Sequence, residues 1–255
     1  MKIGLLTFHY SNNNYGAVLQ AYASFTILKK LGHEPIILNL KPQNKKSVIS
    51  NLKLWLISRL KGNHKFENFR REHLKVTKPL YTFKDCQEQN KYFNYFYAGS
   101  DQIWRPIMAR ERIYRYFLDF VNDDKVRMSY AASFGTEFWE GTSDMTPLIS
   151  NMLQKFDAIS VREDTGVDIC KNIFNVNATH VLDPTFLLEA EDYNTIIKQN
   201  HPSTSVKQKD YVAFYLLDDI TGQGAISKTI QNIYGLETKN IYEKNIRIIK
   251  KQSFR

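Results

Sequence analysis

The chain is 255 residues long, 43% hydrophobic and 13% aromatic, which is enough for a sizeable core in one large or two modest domains; no apolar run approaches the roughly 18 residues of a membrane span. Cys86 and Cys170 are too few for a disulfide framework, and neither they nor the six scattered histidines have metal-ligand spacing, so zinc is not expected and a reducing compartment is. The net charge of +9 is concentrated: residues 41–80 hold eleven Lys or Arg against Glu67 and Glu72, which leaves 24 basic and 24 acidic residues elsewhere.

Residues 2–38 read as strand, polar loop, helix, turn and second strand. Ile3, Leu5, Leu6 and Phe8 form a short apolar run, and Val18, Ala21, Tyr22, Phe25 and Leu28 then recur at helical spacing until Gly32 stops the helix. A crossover helix between two apolar strands implies parallel pairing. Ligands of such sheets sit beyond the carboxyl ends of the strands, where the loop from His9 to Tyr15 must lie. That loop carries Asn12, Asn13 and Asn14, with Gly16 at the helix start. Amide donors and backbone N–H groups there suit an anion or a sugar; equally, an asparagine caps the helix and does nothing else. The loop is not G-x-G-x-x-G, which argues against a dinucleotide.

The basic segment follows, with Val48, Leu52, Trp55, Leu56 and Leu60 on one face of an expected helix. Such a helix either lies at an anionic membrane surface, at about 1 kcal/mol per basic residue, or packs on the sheet with its lysines solvated. No recognised nucleic-acid module accompanies it, so nucleic acid is not an expected partner.

Four more apolar runs each stop at a polar or glycine-bearing turn. Residues 92–98 end in Gly99-Ser100-Asp101, 125–132 in Ser133-Phe134-Gly135, 156–161 in Arg162-Glu163-Asp164 and 180–182 in Asp183-Pro184-Thr185, with helical stretches at 147–155 and 165–173 between them. This is the rhythm of an α/β fold, a Rossmann-like doubly wound parallel sheet, with Pro184 closing it. The domain is assigned to residues 1–197 and a polar linker to 198–210. Residues 211–255 read as the start of a second Rossmann-like domain: a strand at 211–217, a loop with two glycines at 218–224, a helix at 225–234 and a strand at 246–249. About 45 residues are few for a domain, so the second one is expected to be incomplete.

Three residues stand out chemically. Asp101, at a strand's carboxyl end, is either a turn cap or a general acid or base whose pKa is moved by its surroundings. Trp104 either stacks on a sugar or packs in the core. Arg162 projects at the same sheet edge, where its guanidinium either takes a phosphate or carboxylate bidentately or pairs with Glu163 or Asp164. No Ser-His-Asp, Cys-His or P-loop constellation is present.

The ordered segments LTFHYSNNNYGAVLQAYA, YFYAGSDQIW, YRYFLDF, SYAASFG, FDAISVREDTGVDIC and VLDPTFLL together resemble the polysaccharide pyruvyl transferase family over roughly residues 1–190, and more weakly through YVAFYLL. The resemblance implies a glycosyltransferase-B-like architecture of two Rossmann-like halves around a cleft. It also implies transfer of pyruvate from phosphoenolpyruvate onto two hydroxyls of a sugar, giving a cyclic ketal in envelope or capsular polysaccharide. Phosphoenolpyruvate is then a co-substrate, with no cofactor and no metal in the scheme, and the acceptor is a sugar or a lipid-linked oligosaccharide. In these terms Asp101 is the expected base, Arg162, Asn14 and Gly16 the donor-anion site, and Asn13, Gln20 and Trp104 the sugar site. A lipid-linked acceptor would give residues 41–80 a reason to touch the inner membrane face from the cytoplasm.

The family's second-domain Phe-His-Gly segment has no counterpart here, and His180 and His201 stand in the wrong context to replace it. The expectation is a chain lacking much of the C-terminal half, with activity impaired or dependent on a partner. Two other readings remain open: a nucleotide-sugar glycosyltransferase, set apart by independence from phosphoenolpyruvate, and a non-catalytic sugar-binding subunit, set apart by sugar binding without phosphate release.

Overall fold

The computed structural model describes residues 1–10, 14–42, 64–200, 210–215 and 222–240. The chain divides into two compact units, Met1–Tyr193 and Asn194–Arg255. The first unit runs β1 (Lys2–Leu6), α1 (Tyr15–Lys30), β2 (Glu34–Ile37), α2 (His64–His73), α3 (Phe83–Gln87), β3 (Tyr95–Ala98), α4 (Pro106–Ala109), α5 (Ile113–Tyr116), β4 (Val126–Ser129), α6 (Met145–Leu153), β5 (Ser160–Val161), α7 (Asp164–Asn172) and β6 (Thr179–His180), then enters α8 (Ala190–Asn200).

Four strands pair in the order β2-β1-β3-β4, all parallel, with Gly4 opposite both Ile36 and Phe96. Beyond β2 the chain after α2 adds a further edge: the Ile37 N–H donates to the Lys75 carbonyl at 2.8 Å, and Leu40 bridges Leu80 in parallel. Beyond β4, parallel bridges from Met128 to Ala158 and from Ala132 to Val161 reach β5, which pairs with β6. The winding therefore reverses between β1 and β3, as in a Rossmann-like fold, and the gap outside their carboxyl ends is where such sheets hold ligands.

Local chemistry explains the first crossover. Asn14 is extended and accepts the Ala17 N–H at 3.1 Å, which caps α1; Lys29 and Lys30 lie in the last turn, where a helix favours cations. Gly32, at φ 80°, makes the turn into β2. Helix α1 then buries Val18, Ala21, Tyr22, Phe25 and Leu28, the residues that its apolar spacing marks.

Trp104 belongs to the core and not to a sugar site. It is fully buried, stacks on Phe117 at 5.0 Å, touches Phe134 and Phe156, and its Nε1–H donates to the Tyr116 carbonyl at 3.1 Å. No face of the indole is open to a ligand. Cys86 and Cys170 are free and buried, and burial pushes their thiols up to about 11 and about 12, so both stay protonated.

The paired strands are shorter than the apolar runs. Residues 92–98 pair only over Tyr95–Ala98, because Tyr92 closes the 3-10 turn of Glu88–Lys91. Helix α8 continues to Asn200, past the start of the stretch read as a linker. In the second unit β7 (Tyr211–Phe214), α9 (Gln223–Tyr234) and β8 (Glu237–Asn240) form a parallel β-α-β unit, with Gly235 at φ 66° ending the helix. Strand β8 was not expected, since ETKN has no apolar alternation. The expected helix around 48–60 and strand at 246–249 lie outside the described residues. No helix among the described residues is long and apolar enough to cross a membrane.

Candidate functional site

A cleft of about 670 Å³ opens at the carboxyl ends of β1 and β3, lined by the start of α1, Asp101, Arg162, Asp183 and the segment 185–193. Sequence position alone brings these together. Each follows a parallel strand, and parallel strands deliver their loops to one edge.

Asp101 is held in place by its backbone. Its φ of 94° is a left-handed value rare for a side-chain-bearing residue, and its Oδ1 accepts the Gln102 N–H at 2.8 Å. Its carbonyl accepts the Ser133 N–H at 3.1 Å, which ties the two strand ends together. Burial pushes the carboxyl above the usual aspartate value, opposed by the Gln102 N–H and the Arg162 charge and reinforced by Asp183. A carboxylate made more basic in this way is suited to taking a proton from a hydroxyl.

Arg162 is already engaged. Its Nη1–H points to Asp183 Oδ2 at 3.5 Å, its Nη2–H donates to the Ser133 hydroxyl at 3.1 Å, and its Nε–H donates to Glu163 Oε1 at 3.2 Å. The side chain keeps 28% of its surface exposed. The contact with Asp183 is the longest of the three, and so the one that an incoming anion would most readily replace.

Asp183 is the residue that sequence reading missed. It marks the exit from the sheet in sequence, yet it accepts from the Ser100 hydroxyl at 2.8 Å and from the Thr185 N–H and hydroxyl at 3.0 and 2.8 Å. The available signal was its position, directly after an apolar run, like Asp101 and Arg162.

The remaining expected residues divide. Asn14 and Gly16 line the cleft, but the Asn14 side-chain oxygen is occupied as the cap of α1. Gln20 also lines it, yet is only 2% exposed, and its amide donates to the Phe8 and Ala17 carbonyls at 2.8 Å each. One amide hydrogen is used on the β1–α1 loop and the other on the first turn of α1, so Gln20 ties the loop to the helix and cannot also donate to a sugar. Asn13 lies outside the described residues. Trp104 is replaced as the aromatic candidate by Phe186, which lines the cleft and is 74% exposed. The cleft thus offers carboxylates for hydroxyls, one partly open guanidinium and an aromatic face, a combination suited to a sugar and a small anion.

No curated protein matches the chain. The model of the family described as polysaccharide pyruvyl transferase matches residues 14–254, which include every described residue of the cleft, and the chain therefore belongs to the polysaccharide pyruvyl transferase family.

Proposed function

We propose that the protein transfers pyruvate from phosphoenolpyruvate to a sugar as a cyclic ketal during envelope or capsular polysaccharide synthesis, with the sugar free or lipid-linked. The observation that carries this reading is the convergence of Asp101, Arg162 and Asp183 in one cleft of a chain that matches this family. A proton reaches the methylene carbon of phosphoenolpyruvate, leaving an oxocarbenium-like centre at the neighbouring carbon. The first sugar hydroxyl attacks there and gives up its proton to Asp101. Phosphate then leaves, the second hydroxyl closes the ketal, and its proton departs with the phosphate. Net, two sugar O–H bonds, the C=C π bond and the C–O bond to phosphate break, and one C–H bond, two C–O bonds to sugar and one O–H bond on the released phosphate form; the proton that Asp101 accepts makes good the one delivered to the methylene carbon.

In this scheme Arg162 takes the carboxylate of the donor in place of its long contact with Asp183, while Asp183 and Phe186 face the acceptor. Replacing Arg162 by Ala is expected to weaken phosphoenolpyruvate binding about tenfold to a hundredfold. It should also move the acidic limb of activity to higher pH, because the Arg162 charge holds the Asp101 carboxyl down. Calorimetry with phosphoenolpyruvate tests the first effect and a pH–rate profile the second; unchanged affinity would leave Arg162 a purely structural ion-pair partner of Asp183 and Glu163.

A further inference from the structure

The candidate cleft holds more negative than positive charge. Around Arg162 stand Asp101 and Asp183, and Glu163 adds a third carboxylate. Once Arg162 holds the carboxylate of a donor, a phosphate would find little further attraction there. A cationic counterpart lies at the same edge of the sheet, where the chain leaves β1 and β2.

Lys41 Nζ sits 4.3 Å above the Tyr10 ring, and the Arg112 guanidinium lies 5.7 Å from the centre of the same ring. Arg112 Nη1–H also donates to the Tyr10 hydroxyl. Two cations are thereby gathered on one aromatic side chain, and the charge of Arg70 on α2 reaches Lys41. Among the described residues no carboxylate pairs with Lys41. Glu111, 57% exposed, comes no closer to Arg112 Nε than 3.9 Å, and that buried nitrogen has no hydrogen-bond partner. Next to them His9 is 3% exposed with its Nδ1 3.2 Å from the Thr7 carbonyl, and the buried Asn39 side-chain oxygen is unpartnered.

We propose that Tyr10, Lys41 and Arg112 form a second anion site, separate from Arg162, that takes a phosphate or diphosphate group. Like charges brought together in partly buried positions are unfavourable unless an anion joins them. The ionisation behaviour agrees. Burial together with Arg70 and Arg112 lowers Lys41 to about 8, and burial, with Lys41 and Arg70 adding to it, lowers His9 to about 4. His9 is therefore neutral at physiological pH, and the positive charge of the group is that of Lys41 and Arg112. Tyr116, fully buried, feels the charges of both Arg112 and Asp101. The inference rests on these residues and not on the pyruvyl-transfer reading.

Calorimetric titration of the full chain with inorganic pyrophosphate tests it. Lys41→Gln and Arg112→Gln should each weaken binding about tenfold to a hundredfold, while Lys91→Gln, at an exposed ion pair with Glu88, should leave it unchanged. Without ligand, Lys41→Gln should keep or raise Tm, because it removes one of several like charges; this variant keeps the test valid if Arg112→Gln fails to fold. Unaltered affinity in Lys41→Gln, or a loss confined to Arg162→Ala, would overturn the proposal. Repeating the titration with saturating phosphoenolpyruvate identifies the source of the group. Competition means the donor's own phosphate, and simultaneous binding means the phosphate of a second substrate. Failure of ketal formation with intact pyrophosphate binding would count against the proposed reaction and not against this site.

Discussion

Asp101→Asn is expected to lower turnover by about 10²- to 10⁴-fold, the usual contribution of a positioned acid or base, while leaving the protein at least as stable at neutral pH. The two effects separate for a physical reason. Burial raises the carboxyl pKa in the folded chain against the pull of the Gln102 N–H and Arg162. The protonated form is thus favoured by folding, and stability present below the unfolded aspartate value is lost as pH rises through the raised folded value. Asparagine removes that ionisation, still accepts the Gln102 N–H, and tolerates the positive φ. A pH–rate profile of the parent protein should show an acidic limb above the ordinary aspartate range. Equal losses of activity and Tm in the variant would instead make Asp101 a turn cap.

Trp104→Ala should have the largest effect on folding, about 3–5 kcal/mol. The indole is fully buried against Phe117, Phe134 and Phe156, and its removal leaves a cavity and an unpaired Tyr116 carbonyl. Trp104→Phe keeps most of the ring and loses the hydrogen bond, at about 1–3 kcal/mol. Denaturant unfolding of the two variants measures the difference. A near-neutral Trp104→Ala that lost sugar binding would return Trp104 to the site.

These contrasts show what a sequence of this kind reveals. Strand ends were legible because each apolar run stops at a polar turn, and parallel winding sends those turns to one edge; Asp101 and Arg162 follow from that rule alone. Side-chain direction was not legible. Trp104 lies one turn from Asp101 and Gln20 lines the cleft, yet one points into an aromatic core and the other spends its amide on two carbonyls. Phe186 and Asp183 were hidden in a segment that reads as the end of a domain. The cationic group was obscured differently. Lys41 and Arg70 belong to one basic stretch, but Tyr10 and Arg112 come from 31 residues before Lys41 and 71 after it, so only the fold brings them together. Strand β8 went unseen because backbone pairing, and not side-chain burial, defines it.

The most direct test of the proposed reaction is phosphorus NMR of the protein mixed with phosphoenolpyruvate, a nucleotide sugar and an extract of lipid-linked oligosaccharides. The expected result is conversion of phosphoenolpyruvate to inorganic phosphate only when the extract is present, with the nucleotide sugar intact and one pyruvate ketal formed per phosphate released. Consumption of the nucleotide sugar with phosphoenolpyruvate untouched would contradict it and assign the cleft to glycosyl transfer.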